Sequence, residues 1–282
     1  AAALLFATHP IHTEVVASVV GRAELIAAGG FFLAWRCWLG ADAADAVPAG
    51  TRRVPAWAWM AGAVGAYFLA MGGKENAVAL PAVLAFADIL ARGRESLSAL
   101  CRRRLPRYAA LVATAVMFVL MRGAVLGQLT PSADLLDNPL GSLPFGARMM
   151  TAIKVVGLYA LRLLFPLWLS ADYSFDQVTA VDRVLDPTFL GGLAVLQVVP
   201  ALAWWAWRRL SSLTLGIAVL GLTFSVVANL FFLIGTIMGE RLAYLPSAGF
   251  CLAVGAGLAR VGREREVTAG RVPPRSALAF VL

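Results

Sequence analysis

Long apolar runs alternate with short polar stretches along this chain, and the runs have the length of membrane helices. The stretches 23–39, 54–73, 76–91, 108–127, 188–207, 212–234 and 242–260 are each nearly free of charge. A spanning helix needs roughly 20 mostly apolar residues, with about 17 to 25 tolerated. The run 76–91 is the shortest and carries Asp88 near its end. Further apolar residues at 1–8 and 276–282 read as spans cut at the two ends of the chain. The stretch 148–168 is apolar but interrupted by Arg148, Lys154 and Arg162. The pattern predicts an all-α integral membrane protein, a multi-pass helical bundle truncated at both ends.

Composition agrees with lipid as the solvent. Hydrophobic residues make up 60% of the 282 positions and charged residues 14%, whereas soluble domains average nearer ~45–50% and ~25%. The formal net charge of +8 does not indicate a nucleic-acid partner, because the basic residues sit in short clusters between apolar runs, as the positive-inside rule describes. The stretches 40–53, 92–107, 208–211 and 261–275, with Arg36 and Arg260 beside them, hold 16 of the 24 Lys and Arg residues. They are read as cytoplasmic loops. The alternation of spans then closes only if 148–168 does not cross, so that segment is expected to be a re-entrant or interface-lying helix on the outer side. The stretches 9–22, 128–147 and 166–187 become outer-side loops, and most of the acidic residues and both histidines fall on that side. Cys37, Cys101 and Cys251 suggest no disulfide framework.

Candidate chemistry belongs to the mixed outer side. His9-Pro10-Ile11-His12-Thr13-Glu14 precedes Gly21-Arg22-Ala23-Glu24. His12 and Glu14 can form a proton-transfer pair, since imidazole and carboxylate tune each other near neutral pH; equally, the motif can be a cap-and-turn network at a helix end. The spacing is not that of a helical two-histidine metal site, and no metal is assigned. Lys74-Glu75-Asn76 breaks two apolar runs with adjacent opposite charges, which suits a functional site at the membrane surface or a plain interfacial turn. In Gly239-Glu240-Arg241-Leu242-Ala243-Tyr244-Leu245-Pro246, Arg241 is a planar cation suited to phosphate, Glu240 is placed to hold it, and Tyr244 suits the headgroup level. Asp137-Asn138-Pro139 and Ser170-Ala171-Asp172-Tyr173-Ser174 add carboxylates and an aromatic ring.

Taken in order, these blocks resemble the transmembrane and tetratricopeptide-repeat protein O-mannosyltransferase family over essentially the whole chain. The resemblance implies a glycosyltransferase of GT-C type in the endoplasmic reticulum membrane, or the inner membrane in a bacterium. The form Val19-Val20-Gly21-Arg22-Ala23-Glu24 looks more like the endoplasmic reticulum members. The implied donor is dolichyl-phosphate mannose, and the implied acceptor a Ser or Thr hydroxyl of a polypeptide in the lumen. Membrane lipid is the remaining partner, and no other cofactor is implied. Arg22, Lys74 and Arg241 are then the expected cradle for the donor phosphate, and His12, Glu14 and Glu75 the residues that orient donor or acceptor. Glu24, Asp137, Lys154, Asp172, Tyr173, Glu240 and Tyr244 support them, with Lys154 and Tyr159 walling a groove for the isoprenoid tail. The family's acidic motif is expected upstream of Ala1 and its repeat array downstream of Leu282, so the chain alone is expected not to transfer sugar. The rival readings are a polytopic transporter or flippase, whose charges cluster at mid-span, and a non-catalytic membrane scaffold.

Overall fold

The computed structural model describes residues 1–46, 54–127, 138–170, 173, 177–207 and 211–268, with side chains described as far as 262. All regular structure among these residues is helical. The α-helices in chain order are α1 (Ala2–Thr8), α2 (Thr13–Ala17), α3 (Arg22–Asp45), α4 (Ala56–Gly73), α5 (Leu80–Ala91), α6 (Leu97–Leu126), α7 (Phe145–Leu164), α8 (Pro187–Ala206), α9 (Ser211–Ser225) and α10 (Tyr244–Thr268). Short 3-10 turns at Pro10–His12, Glu75–Ala79, Pro139–Gly141 and Glu240–Ala243 link them. Three stretches, Leu97–Leu126, Pro187–Ala206 and Glu240–Gly262, are long and apolar enough to cross a membrane. A fourth, Arg22–Asp45, passes the same test only together with Pro10–Ala17 before it. Only 11% of the apolar window of α6 is buried, and Val112, Val116, Leu120 and Val125 stand exposed on it. An outward apolar surface of that extent is stable in lipid.

Local sequence sets the helix ends. Ser96 caps α6, accepting from the Ala99 amide at 3.2 Å, and Gly127 closes it in the left-handed conformation at φ 69°, a backbone state glycine adopts without steric cost. Asp186 caps α8 by accepting from the amides of Thr188 and Phe189, with Pro187 in the first turn, where its missing N–H costs nothing.

The structure corrects several boundaries. The run 76–91 is not one helix: a 3-10 turn occupies Glu75–Ala79 and α5 has 12 residues, about 18 Å at 1.5 Å per residue, too short to span. The run 212–234 is a 15-residue helix that stops at Ser225. Beyond it the backbone turns at Asn229, a non-glycine residue at φ 57°. Its side chain accepts from the Ile234 amide at 2.9 Å and donates to the carbonyls of Thr236 and Ile237. Asn138, fully buried, donates to Asn229 Oδ1 and to the Ile234 carbonyl and accepts from the Leu140 amide. Each buried backbone group left without such a partner costs about 1–3 kcal/mol, so these two side chains make the irregular stretch stable. The segment 148–168 forms α7, one unbroken helix of 20 residues; it is therefore not re-entrant through a break. The basic stretch from Arg102 to Arg107 is helical too, carried by α6 through Pro106.

The chain divides into two compact units, one of Ala1–His12 with Leu135–Leu282, the other of Thr13–Asp134. The first has a core of Ile11, Leu140, Val155, Tyr159, Tyr173 and Met238. In it α7 packs on α8 and α9 on α10. The second is built on the tight pair of α3 and α4, with α5 and α6 against them. Its ionic lock was not expected from a loop of arginines. Arg104, 7% exposed, pairs with Asp42 and with Asp88 (3.1 Å), and Arg107 pairs with Asp42 and Asp45. The Tyr108 hydroxyl donates to Asp88 at 2.8 Å.

Candidate functional site

In the second unit, close helix packing brings two motifs together. A side chain at Gly73 would lie 2.8 Å from the Ala23 carbonyl and 2.8 Å from the Ala27 amide, so only glycine lets the end of α4 meet the start of α3 here. Lys74 then leaves the helix in an extended conformation. Glu24, 1% exposed, accepts from Asn76 Nδ2 at 2.8 Å and lies 3.9 Å from Lys74 Nζ. A carboxylate this deep is tolerated because it is paired and hydrogen-bonded. Glu75 points the other way and pairs with Arg122 of α6. Both line a cleft of about 350 Å³ with Met71, Lys74, Phe118 and Met121. Arg22, the first residue of α3, is exposed, and Glu14 of α2 is half-buried.

In the first unit the two histidines are buried. His9 accepts from the Ile11 amide on Nδ1 (3.3 Å), and its Nε2 lies 3.0 Å from the Leu163 carbonyl; together these fix the Nε2–H tautomer, because a carbonyl can only accept. His12 Nε2 lies 2.7 Å from Ser247 Oγ, and its ring sits between Phe6 and Tyr244, with centroids 4.6 and 4.7 Å away. Burial, then the nearby His9, push the His12 imidazole down to about 4, against a hydrogen bond that the ring donates to the Phe6 carbonyl, which favours the charged form. It is neutral near pH 7. The His-Pro-Ile-His block and the Tyr-Leu-Pro-Ser block thus belong to one contact.

This unit also holds a cleft of about 510 Å³ beside α7. Lys154, Leu158 and Arg162 lie at i, i+4 and i+8 on one stripe of the helix, and all three line it. Leu167 and Trp168, both about two-thirds exposed, form its apolar rim. Lys154 Nζ donates to the carbonyl and hydroxyl of Thr179 at 2.9 and 3.1 Å. Arg162 lines the cleft with Tyr173 and interacts with its hydroxyl, while its buried Nε has no hydrogen-bond partner among the described residues. Tyr173 also donates to Glu240 at 2.8 Å. Burial raises the Tyr173 pKa most; the bond from Arg162 lowers it and the bond to Glu240 raises it. Two cations beside an exposed apolar rim can hold a phosphate whose substituent is a hydrocarbon.

A profile described as Protein O-mannosyl-transferase TMTC, DUF1736, matches residues 127–199, the segment that carries α7 and every residue lining this cleft. Protein O-mannosyl-transferase TMTC4 of Mus musculus is 30% identical over 93% of this chain and 38% of its own length. TMTC3 of the same species is 28% identical over 93% of this chain and 30% of its own length. Tmtc3 of Drosophila melanogaster is 27% identical over the whole chain and 34% of its own. The chain is similar to these TMTC proteins over nearly its whole length. It spans about a third of the length of these TMTC relatives. No solved structure matches it.

Of the residues singled out from the sequence, the structure joins Glu24 to Lys74, Tyr173 to Glu240, and His12 to Tyr244. Glu240 accepts from Tyr173 and Ser170, partners the sequence did not suggest for it. Arg241 follows it in the same 3-10 turn. Asp137 and Asp172 lie outside the described residues. Arg162 was missing from the expected site. Its signal was the eight-residue spacing from Lys154, which places both cations on one face of α7.

Proposed function

We propose that this chain is the membrane region of a GT-C glycosyltransferase that moves mannose from a dolichyl-phosphate donor to Ser or Thr hydroxyls of secretory-pathway proteins. The observation that carries the reading is the cleft beside α7, where Lys154 and Arg162 meet the apolar rim of Leu167 and Trp168. In the reaction the acceptor oxygen bonds to the anomeric carbon, the bond from that carbon to the phosphate oxygen breaks, and the hydroxyl proton passes to a base. Negative charge then grows on the departing phosphate, and fixed cations beside it lower the barrier. Arg162 is placed for this in the cleft. Arg22, Lys74 and Arg241 are proposed as further donor-phosphate contacts, and His12, Glu14 and Glu75 as residues that orient donor or acceptor. The names of the relatives, protein O-mannosyl-transferases, support the transfer.

The accompanying topology puts 92–107 on the cytoplasmic face and 166–187 on the lumenal face of the endoplasmic reticulum membrane, with α7 lying along the interface. The decisive assay uses the full-length protein in nanodiscs with dolichyl-phosphate mannose and a Ser/Thr-rich acceptor peptide. Transfer of mannose to the peptide, competed by dolichyl phosphate, is the expected result. No transfer from this donor overturns the reading. Single cysteines at 94 and 180 are expected to label from opposite sides, and labelling from one side removes the topology.

A further inference from the structure

We infer that Glu240 is a positioning residue for the α7 cleft, holding Ser170 and the Tyr173 hydroxyl in place beside the Arg162 guanidinium, where a phosphate group binds. The inference rests on the donor-site reading above and goes beyond it in naming what sets the site's geometry.

Glu240 is 2% exposed, and a buried carboxylate needs hydrogen-bond donors to be stable. Two arrive on the same oxygen: the Ser170 amide at 2.6 Å and the Tyr173 hydroxyl at 2.8 Å. Bonds to an ionised acceptor are short and about twice as strong as neutral ones. The position of Glu240 is itself fixed from α7. The Tyr159 hydroxyl donates to the Gly239 carbonyl and accepts from the Gly239 amide, both at 2.9 Å. Tyr159 and Arg162 are three residues apart on α7. The contacts therefore close a ring: from Tyr159 to Gly239, along the chain to Glu240, across to Tyr173, and back to Arg162.

A ring of this kind does more than anchor a loop. It sets a fixed hydroxyl beside a long, flexible arginine side chain, whose rotamer freedom would otherwise oppose binding. It also leaves the Arg162 Nε–H without a protein acceptor among the described residues, so the guanidinium is held but not saturated. Toward this cleft Glu240 acts as the acceptor for Ser170 and Tyr173.

The test measures dissociation constants for dolichyl phosphate with the full-length protein in nanodiscs. Tyr173→Phe, which keeps the ring and removes the relay, is expected to weaken binding by about five- to tenfold, the size of one lost charge-assisted bond. Arg162→Gln is expected to weaken it more. The double variant is expected to bind within about twofold of Arg162→Gln alone, because residues acting through one another are not additive. Glu240→Gln, which still accepts from Ser170 and Tyr173, is expected to stay within about threefold of the parent, whereas Glu240→Leu should match Tyr173→Phe. A folded Glu240→Leu protein that binds like the parent overturns the inference. If Glu240→Leu does not fold, fully additive losses in the Tyr173/Arg162 pair overturn it instead. Loss of binding in Arg162→Gln with none in Tyr173→Phe leaves the donor site standing and removes the relay. Undiminished binding in Arg162→Gln removes the donor site itself.

Discussion

Gly192→Val should unfold the α7–α8 pair, whereas Gly191→Val, one residue earlier, should leave it intact. A side-chain carbon at Gly192 would fall 1.9 Å from the Ile153 carbonyl oxygen, and one at Gly157 would fall 2.9 Å from the Gly192 Cα. The obstacle is backbone on both helices, so no rotamer change relieves it and the helices must move apart. Helices in lipid are held chiefly by close van der Waals contact across small residues, and separation forfeits that contact along the whole seam. Overpacking a core typically costs about 1–3 kcal/mol and occasionally more, and a backbone clash belongs at or above the upper end. For a chain of this size that lowers the melting temperature by roughly 6–12 °C, at about 2–4 °C per kcal/mol. Gly191 has nothing within 4 Å of its Cβ position. Thermal unfolding of the two variants in the same detergent gives the comparison, and equal melting temperatures would show that α7 and α8 do not meet through Gly192. Because α7 carries Lys154 and Arg162, the Gly192 variant should lose donor affinity as well.

Hydrophobic patterning made most helices legible, and its failures have physical causes. The runs 54–73 and 188–207 match α4 and α8 within two residues, since nothing polar interrupts them. The run 212–234 failed because a window average cannot see one residue. Val226, Val227, Leu230, Phe231 and Phe232 keep the stretch apolar, while Asn229 alone turns the backbone and satisfies it from its side chain. The run 76–91 failed at Pro81, which has no N–H for a helical bond and instead opens a new helix. The arginine stretch was read by charge alone. Its pairing was available in the spacing: Arg104 and Arg107 are three residues apart, as are Asp42 and Asp45, so two helix faces can match pair to pair. Breaking a buried pair by removing one partner costs about 3–5 kcal/mol, so these arginines hold helices together as well as adding positive charge.

The candidate site was legible as a set of motifs and not as a geometry. Glu24 and Lys74 were separately noted, and the close approach at Gly73 is what joins them. Glu240 was expected to steady its sequence neighbour Arg241, and the structure gives its carboxylate two further partners, Tyr173 and Ser170, that lie far from it in the sequence. Lys154 was noted as a groove wall, while Arg162 was noted only as a charge interrupting the apolar stretch 148–168. The fold sets the two on one stripe and brings Trp168 and Tyr173 beside them, a contact that no periodicity in the sequence announces.

Arg162→Gln in the full-length protein should lower mannose transfer at limiting donor by about ten- to a hundredfold, with little change in expression. A hydrogen bond to a charged group contributes about 1.5–3 kcal/mol, and the interaction strengthens as charge develops on the leaving phosphate. Arg162→Lys should recover only part of the loss: lysine keeps the charge but lacks the planar fork that grips two phosphate oxygens while also meeting the Tyr173 hydroxyl. Lys154→Gln should cost less than Arg162→Gln, because Lys154 is already committed to the carbonyl and hydroxyl of Thr179, and its removal takes away a charge at the mouth of the cleft but no fork. Raising the salt concentration should separate the two, since a partly exposed ammonium is screened more than a guanidinium held by protein contacts. Arg241→Ala, Arg22→Ala and Lys74→Ala assayed beside them rank the cations at the outer helix ends. The measurement is kcat/KM for dolichyl-phosphate mannose in nanodiscs, with thermal stability read on the same samples. A folded Arg162→Gln protein with parental kcat/KM would move the phosphate out of the α7 cleft, and a large loss in Arg241→Ala alone would move it to the turn that follows Glu240.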